Sequence, residues 1–347
     1  MNAVVTGGTG FFGSALVRGL LARGDLVRAL VRSARAARAM RALGAEPMPG
    51  DLRALDSCRG LAGEDHVIYH AAARVAFHGR WDTFRRTTIE GTRNLLATVL
   101  PSRPRRFVYV SSMCVYTPAE WGRGACADHT TTRPPVYHFY GRAKLEAERL
   151  VRRECERMGC PWTIVRLSSV YGPGNRAVIG QFGRYARRNG PVLVGPGENH
   201  IATVYVDDAV QATILAATHP IGEAKTYDVS SDEPVTQREF VDALADMLGL
   251  PRSSGRVKTR SAFVGAWLIE SLCRWLDRDW QISRGLVQSL GTEQVVDAGR
   301  IRAELGWQPD VSFAEGMRRA RQWYRRLQHE EMVGERNELM TSARATP

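Results

Sequence analysis

The sequence has 347 residues, 44% of them hydrophobic and 24% charged, values that exclude a mostly disordered or fibrous chain. Its 48 Lys and Arg against 36 Asp and Glu give a net charge of +12. Only Lys144, Lys225 and Lys258 are lysines, and the arginines are scattered along helices without interleaved aromatics, so no nucleic-acid footprint is expected.

The longest apolar run, Ala262 to Ile269, is too short to span a bilayer. Cys58, Cys114, Cys126, Cys155, Cys160 and Cys273 follow no Cys-x-x-Cys spacing and read as reduced thiols. A strand beginning almost at Met1 leaves no room for a signal peptide, so a cytoplasmic protein is expected.

In chain order, Ala3–Thr6 reads as a strand, Phe11–Arg23 as a helix, Leu26–Val31 as a strand, and Ser33–Leu43 as a helix capped by Ser33. Val67–His70 and Phe107–Ser111 are further strands around a helix at Thr83–Leu100, which Pro101 ends. A long helix at Tyr137–Met158 precedes a strand at Trp162–Leu167. This alternation predicts βαβ units: an α/β, Rossmann-type doubly wound parallel sheet with a smaller, mostly helical C-terminal substrate domain. The rhythm breaks at Tyr171–Gly174, and the chain is expected to revisit the sheet at Ala202–Thr218 and Thr226–Ser230. Helices are expected at Gln237–Leu248, Ala262–Leu276, Asp297–Leu305 and Phe313–Leu327. The implied organisation is a dinucleotide-binding unit at 1–172 rejoined by 200–230, a substrate-binding region at 173–199 and 231–328, and a polar tail at 329–347.

Two motifs carry most of the chemistry. Thr6-Gly7-Gly8-Thr9-Gly10-Phe11-Phe12-Gly13 follows the first strand and opens a helix. Glycines in that context let backbone N–H groups approach a pyrophosphate at the helix N-terminus. The second strand ends Val31-Arg32-Ser33 without the acid that usually binds the ribose 2′-OH of NAD. Arg32 can pair with a 2′-phosphate instead, so NADP (NADPH) is favoured over NAD.

Tyr140 and Lys144 stand four apart on one helix face. A nearby ammonium is expected to lower the phenol pKa and ready it for proton exchange with a carbinol or carbonyl oxygen. In a chain with three lysines, a lysine at this spacing is a pointed choice, since a compact ammonium also reaches ribose hydroxyls. Ser112, at the carboxyl end of the Phe107 strand, is placed to hydrogen-bond the same substrate oxygen. His70, His78, His129 and His138 lack metal-ligand spacing, and no metal is expected.

Together with Gly50-Asp51-Leu52, His70–Ala73, Glu90-Gly91-Thr92, Arg166–Gly174, Val206-Asp207-Asp208 and Gly306–Pro309, these motifs resemble the extended short-chain dehydrogenases/reductases of the NAD-dependent epimerase/dehydratase superfamily. The likeness is strongest to the 3β-hydroxysteroid dehydrogenase-like branch, through Ala71–Ala73, Phe77-His78-Gly79, Trp81 and the long helical C-terminal region. The resemblance implies a triad of Ser112, Tyr140 and Lys144. It implies cofactor contacts at Gly7, Thr9, Gly10, Phe11, Phe12, Gly13, Arg32, Asp51, Leu52, Ala71, Ala72, Ala73, Tyr140, Lys144, Leu167 and Val170. Two departures stand out: Thr88 replaces the usual Asn, and Leu167 replaces the branch's usual proline.

The function expected is hydride transfer between NADP(H) and a ketone or secondary alcohol of a bulky apolar substrate (steroid-like, polycyclic or long-chain). A nucleotide-sugar epimerase or dehydratase is the first alternative, opposed by Met113 and Cys114 where dehydratases carry acids and by Ser169 where sugar enzymes usually carry Asn. A non-catalytic NADP-binding sensor is the second, opposed by the intact triad. Phe77, Trp81, Tyr116, Trp121, Phe139 and Tyr185 are expected on the substrate side. The stripe Trp267, Leu268, Leu272, Trp275 and Leu276 is read as a pocket lid or core helix rather than a membrane-surface helix. The partners expected are an apolar small molecule and, as assembly, a homodimer.

Overall fold

The structure, a computed structural model, describes residues 1–127, 133–276, 278, 280 and 282–344; the side chains of 331 and 333–344 are not described. Seven parallel strands form the main sheet: β1 (Asn2–Thr6), β2 (Leu26–Val31), β3 (Glu46–Pro49), β4 (His66–His70), β5 (Arg106–Ser112), β6 (Trp162–Leu167) and, later in the chain, the strand Lys225–Val229. Their spatial order is Lys225–Val229, then β6, β5, β4, β1, β2 and β3. The inner strands are apolar on both faces because both are covered. On β1, Ala3 and Val5 enter one core while Val4 enters the other, and all three are fully buried.

α1 (Phe11–Ala22) and α2 (Ala34–Leu43) cross between the first three strands, and Ser33 caps α2 by accepting from the Ala36 amide. β3 lies at the sheet edge and was not expected from sequence, since Pro47 and Pro49 suppress a strand reading. The helix expected at Thr83–Leu100 is three pieces: α3 (Trp81–Phe84), a π-helical segment Arg85–Glu90, and α4 (Gly91–Val99). Pro101 then sits in a 3₁₀ turn. A short α5 (Pro118–Trp121) and the long α6 (Phe139–Met158) follow.

Beyond β6 the chain leaves the main sheet. β7 (Ser169–Tyr171) pairs with β9 (Thr203–Tyr205), and between them lie α7 (Arg176–Asn189), not foreseen from sequence, and β8 (Val192–Val194). The stretch 202–218 was expected as sheet, but most of it is α8 (Val206–Thr218), packed on α1. Gly19 of α1 allows that close approach, since a Cβ there would stand 2.6 Å from Val210 Cγ1, and only β10 (Lys225–Val229) rejoins the main sheet. α9 (Gln237–Leu248) has the expected bounds. β11 (Gly255–Val257) pairs with β8, and α10 (Thr259–Trp275), α11 (Arg284–Gly291), α12 (Gly299–Leu305) and α13 (Phe313–Arg344) complete the chain. α13 runs on through most of the stretch read as a polar tail.

Two motifs far apart in sequence close this architecture. The Trp307 indole N–H donates to the Asp208 carbonyl at 3.2 Å, and the Asp208 carboxylate accepts from the Asp310 and Val311 amides, both at 3.2 Å. The C-terminal segment is thereby pinned to α8, which is itself pinned to the first βα unit.

Candidate active site

Strand order reverses between β1 and its two neighbours, β2 on one side and β4 on the other, and ligands of open α/β sheets sit in the crevice at such a point. The turn from β1 into α1 lies there. Gly7 has φ +75° and accepts from the Gly10 amide at 2.9 Å. A Cβ on Gly7 would stand 2.7 Å from the Ala72 amide nitrogen, and one on Gly13 would overlap the Gly7 carbonyl oxygen. Gly10 caps α1 with no side chain over the helix end, and the first turn carries no acid. The result is a bare, anion-accepting helix N-terminus with Thr9 exposed above it, a cradle that fits a dinucleotide pyrophosphate.

The floor of this crevice is fixed by one hydrogen-bond chain. The Ala72 amide donates to Thr6 Oγ1 (3.3 Å), Thr6 Oγ1 meets His70 Nδ1 (2.7 Å), His70 Nε2 meets Thr92 Oγ1 (2.9 Å), and Thr92 donates to the Thr88 carbonyl (2.5 Å). Burial pushes the His70 pKa down to about 3, so the ring is neutral and passes the chain with one donor and one acceptor. Thr88 is fully buried in the π-helical segment, and its hydroxyl accepts from the Arg74 amide at 3.3 Å. At this position the threonine therefore holds the segment that follows Ala71–Ala73.

At the end of β2, Arg32 is exposed. Across from it Asp51 is held below the usual carboxylate range, first by its hydrogen bonds from Arg53 and in smaller part by the charge of Arg32. Arg53, which sequence reasoning passed over, is thus a second cation at this corner. Leu52 is buried, and its carbonyl accepts from Asn94 Nδ2 at 2.8 Å. Leu167 ends β6 as a buried residue, and Val170 follows on β7 against β9.

Ser112, Tyr140 and Lys144 converge beside this crevice. Ser112 ends β5 and accepts from the Cys114 amide at 3.2 Å, and its hydroxyl lies close enough to the Tyr140 phenol to act on its pKa. Burial raises the phenol pKa, the nearby Cys114 adds to the rise, and the Ser112 hydrogen bond draws it partly back. The Tyr140 pKa is therefore raised, not lowered as expected from a neighbouring ammonium. The reason is that Lys144 faces elsewhere: its Nζ donates to the Val110 carbonyl at 2.6 Å and lies 4.7 Å from the centroid of the Tyr109 ring. Burial takes the Lys144 pKa down to about 7 against the opposing pull of Glu148.

One turn further along α6, Glu148 forms a buried ion pair with Arg166 on β6, at 2.7 and 3.0 Å. Ser111 donates to the same carboxylate at 2.5 Å, Arg166 donates to the Tyr116 hydroxyl at 2.8 Å, and Tyr116 donates to Asp228 on β10 at 2.7 Å. This network joins α6, β5, β6 and β10 directly behind the Ser112–Tyr140 pair. It also corrects two expectations. Tyr116 is a network member and Trp121 a core residue bonded to the Met113 carbonyl, so neither lines a pocket.

Phe77 does stand at the site, with ring centroids 6.4 Å from Tyr140 and 5.7 Å from His138. Trp81 packs on Phe139 next to it. His138, which carried no assigned role in the sequence, caps α6 by accepting from the Gly141 amide at 3.1 Å. The stripe on α10 faces solvent, so it is neither lid nor core. Among the described residues no three His, Cys, Asp or Glu side chains gather as metal ligands; His129 lies outside the described residues.

Known proteins resemble this chain in sequence and in fold. Residues 3–230 match the profile described as "NAD dependent epimerase/dehydratase family". The chain is 31% identical to the 4-hydroxy-2-methyl-3-oxo-4-farnesyl-3,4-dihydroquinoline-1-oxide ketoreductase of Stigmatella aurantiaca, over 93% of this chain and 96% of that protein. It is 27% identical to the 3 beta-hydroxysteroid dehydrogenase/Delta 5→4-isomerase of Mycobacterium tuberculosis, over 100% of this chain and 96% of that one. Its fold is similar to the Thermus thermophilus UDP-glucose 4-epimerase complex with NAD, at 25% identity and a TM-score of 0.73, covering 94% of this chain and 99% of that one.

Proposed function

Because the chain belongs to the NAD dependent epimerase/dehydratase family, with ketoreductases and 3β-hydroxysteroid dehydrogenases among its relatives, we propose that it is an NADPH-dependent reductase of a bulky, largely apolar ketone. The observation that carries this reading is the placement of the Tyr140 phenol next to Ser112, beside a glycine cradle and faced by the Phe77 ring. The phenol is protonated at neutral pH, the form needed when a carbonyl oxygen becomes an alcohol.

Gly7–Gly13 would hold the pyrophosphate, Arg32 the 2′-phosphate, Asp51 and Leu52 the adenine end, and Ala71–Ala73, Leu167 and Val170 the ribose and nicotinamide side. Bound NADPH would supply the hydride. Tyr140 then gives its proton to the carbonyl oxygen while Ser112 shares that oxygen's lone pairs and fixes its position. Lys144, compact and buried behind the pair, contributes positive potential and donors for ribose hydroxyls. Phe77, Trp81 and Phe139 supply the apolar wall that small-molecule sites need, with few polar groups beside it.

The ketoreductase named above acts, by its name, on a farnesylated oxo compound, which fits an apolar ketone here. A sugar nucleotide reading has Arg184, Arg187 and Arg188 for a diphosphate, but the first two line a cleft with Trp323 and Tyr324. Free thiols at all six cysteines suit a reducing cytoplasm.

The test is consumption of NADPH by the purified protein with a panel of polycyclic and long-chain ketones, and nucleotide sugars as controls. Ketone reduction is expected, with NADPH preferred to NADH. Specific UDP- or GDP-sugar binding without ketone reduction overturns the reading.

A further inference from the structure

Helix α10 is built inside out. A surface helix normally turns its apolar stripe to the core and its charges to water. Here Val264, Leu268, Leu272 and Trp275, at spacings of four, four and three, form a line that is 54%, 55%, 55% and 81% exposed. Trp267 (49%) and Ile269 flank it. The charged residue in the middle of the helix, Glu270, points inward instead. It is buried and held by Arg284 on α11 through the Arg284 backbone amide at 2.7 Å and the guanidinium at 2.8 and 2.9 Å. Phe263 completes the fastening edge-on to Tyr137, with ring centroids 5.5 Å apart. The helix is therefore fixed to the body through Phe263, Ala266 and Glu270, and its apolar line has no partner within the described residues.

The N-terminal flank is basic. From residue 255 to 276 the sequence holds Arg256, Lys258, Arg260 and Arg274, and one carboxylate, the internally neutralised Glu270. Arg256, Lys258 and Arg260 are exposed, while beyond the helix the sequence Asp277-Arg278-Asp279 is mixed in sign. We propose that α10 seats the protein on a lipid bilayer surface rich in anionic headgroups. The helix would lie in the interface plane with Trp267, Leu268, Leu272 and Trp275 among the acyl chains and the cations among the phosphates.

The alternative occupant, a second copy of this chain, is disfavoured by charge where the two helices run parallel. Packing α10 in parallel on its own copy would bring Arg256, Lys258 and Arg260 against the same cations of the partner, and an antiparallel copy is the dimer outcome of the test below. At 17 residues, with Glu270 at its centre, α10 lies on a membrane and does not cross one; no described helix is long and apolar enough to cross. Its fastened side touches Tyr137, three residues before Tyr140, so the docked face backs onto the approach to the candidate site. The inference stands whichever substrate that site takes.

The experiment is sedimentation of the purified full chain with vesicles of phosphatidylcholine alone and of phosphatidylcholine mixed with phosphatidylglycerol, at low and high salt. Wild type should pellet with the anionic vesicles, more weakly with the neutral ones, and less at high salt. Trp267→Ser/Leu272→Ser/Trp275→Ser should lower partitioning into both vesicles by at least about tenfold. Arg256→Gln/Lys258→Gln/Arg260→Gln, on exposed side chains that leave the fold intact, should lower only the anionic binding, by about fivefold per cation. Unchanged NADPH affinity in both variants assigns the losses to the surface. Wild type remaining in the supernatant with both vesicles overturns the proposal, as does a serine variant that pellets like wild type. A wild-type dimer that the serine variant dissolves, with no vesicle binding, assigns the face to a second copy and overturns it too.

Discussion

Gly141 backs directly onto the carbonyl of Cys114. A Cβ at Gly141 would overlap that oxygen and stand 2.8 Å from His138 Nδ1. This contact sets how closely α6, carrying Tyr140, approaches the end of β5, carrying Ser112. The glycine was visible in the sequence beside Tyr140, but its purpose is visible only across the fold. Gly141→Ala should separate the two hydroxyls and lower kcat on the order of 100-fold, the scale of a displacement near 1 Å. NADPH affinity should change far less. Steady-state kinetics with cofactor titration checks it; an alanine variant with wild-type kcat removes Gly141 from the positioning of Tyr140.

Tyr140→Phe keeps the ring that packs beside Phe77 and removes the proton donor. Turnover should be lost while NADPH binding survives. Lys144→Arg should also fail, because the buried site has room for one ammonium against the Val110 carbonyl and not for a planar guanidinium. Single-turnover reduction measures both, and activity within about threefold of wild type in either variant is incompatible with the roles assigned.

Arg32→Ala should weaken NADPH binding by about 1.5–3 kcal/mol and leave NADH nearly unchanged, the signature of a lost charge-assisted phosphate contact. Arg53→Ala should act differently, since Arg53 holds Asp51. Its loss should disturb both cofactors through the adenine end. Equal damage to both cofactors in Arg32→Ala would show that Arg32 does not read the 2′-phosphate.

His138 gives a pH-dependent prediction. Burial pushes its pKa from 6.5 down to about 4, so the folded protein keeps it neutral while the unfolded chain takes up a proton as pH falls below 6.5. The stability it contributes is complete above 6.5 and is lost progressively toward 4. Asp228, pushed up to about 7 by burial, works in the opposite direction, so the comparison must be with a variant and not with pH alone. Asn at position 138 can still cap α6 and does not titrate. Between about pH 7.5 and about pH 5, wild type should lose about 2 kcal/mol relative to His138→Asn in urea unfolding. A difference that does not change with pH would contradict a neutral, buried His138.

The first half of the fold was readable because its signals are local. β2 and β6 have the bounds expected from their apolar runs, and Ser33 caps α2 as its position before a periodic stretch implied. What stayed hidden depends on contacts distant in sequence. α7 follows a turn cluster and contains Gly180 and Gly183, which argue against a helix; Gly183 is there because Leu248 of α9 packs within 3.3 Å of where its Cβ would be. Tyr116 looked like a pocket aromatic until Arg166 and Asp228, 50 and 112 residues away, were found on its hydroxyl. At the site, the identities of Ser112, Tyr140 and Lys144 were legible from spacing. The orientation of Lys144 toward β5 was not, because spacing places two residues on one helix face without saying where their ends point.

The two prolines of β3 have a consequence for the molecule in a crowded solution. β3 is the last strand of the sheet, paired to β2 from Glu46 opposite Arg28 to Pro49 opposite Val31. Because backbone groups alternate sides along a strand, positions 47 and 49 point the same way, and with Glu46 and Met48 serving β2 that way is outward. Pro47 and Pro49 carry no amide hydrogen, so a foreign strand arriving there finds carbonyl acceptors and nothing to accept from. The sheet cannot be extended by recruiting another chain's backbone at this rim, and a 347-residue chain with a parallel sheet to assemble is spared one common route to insoluble polymer.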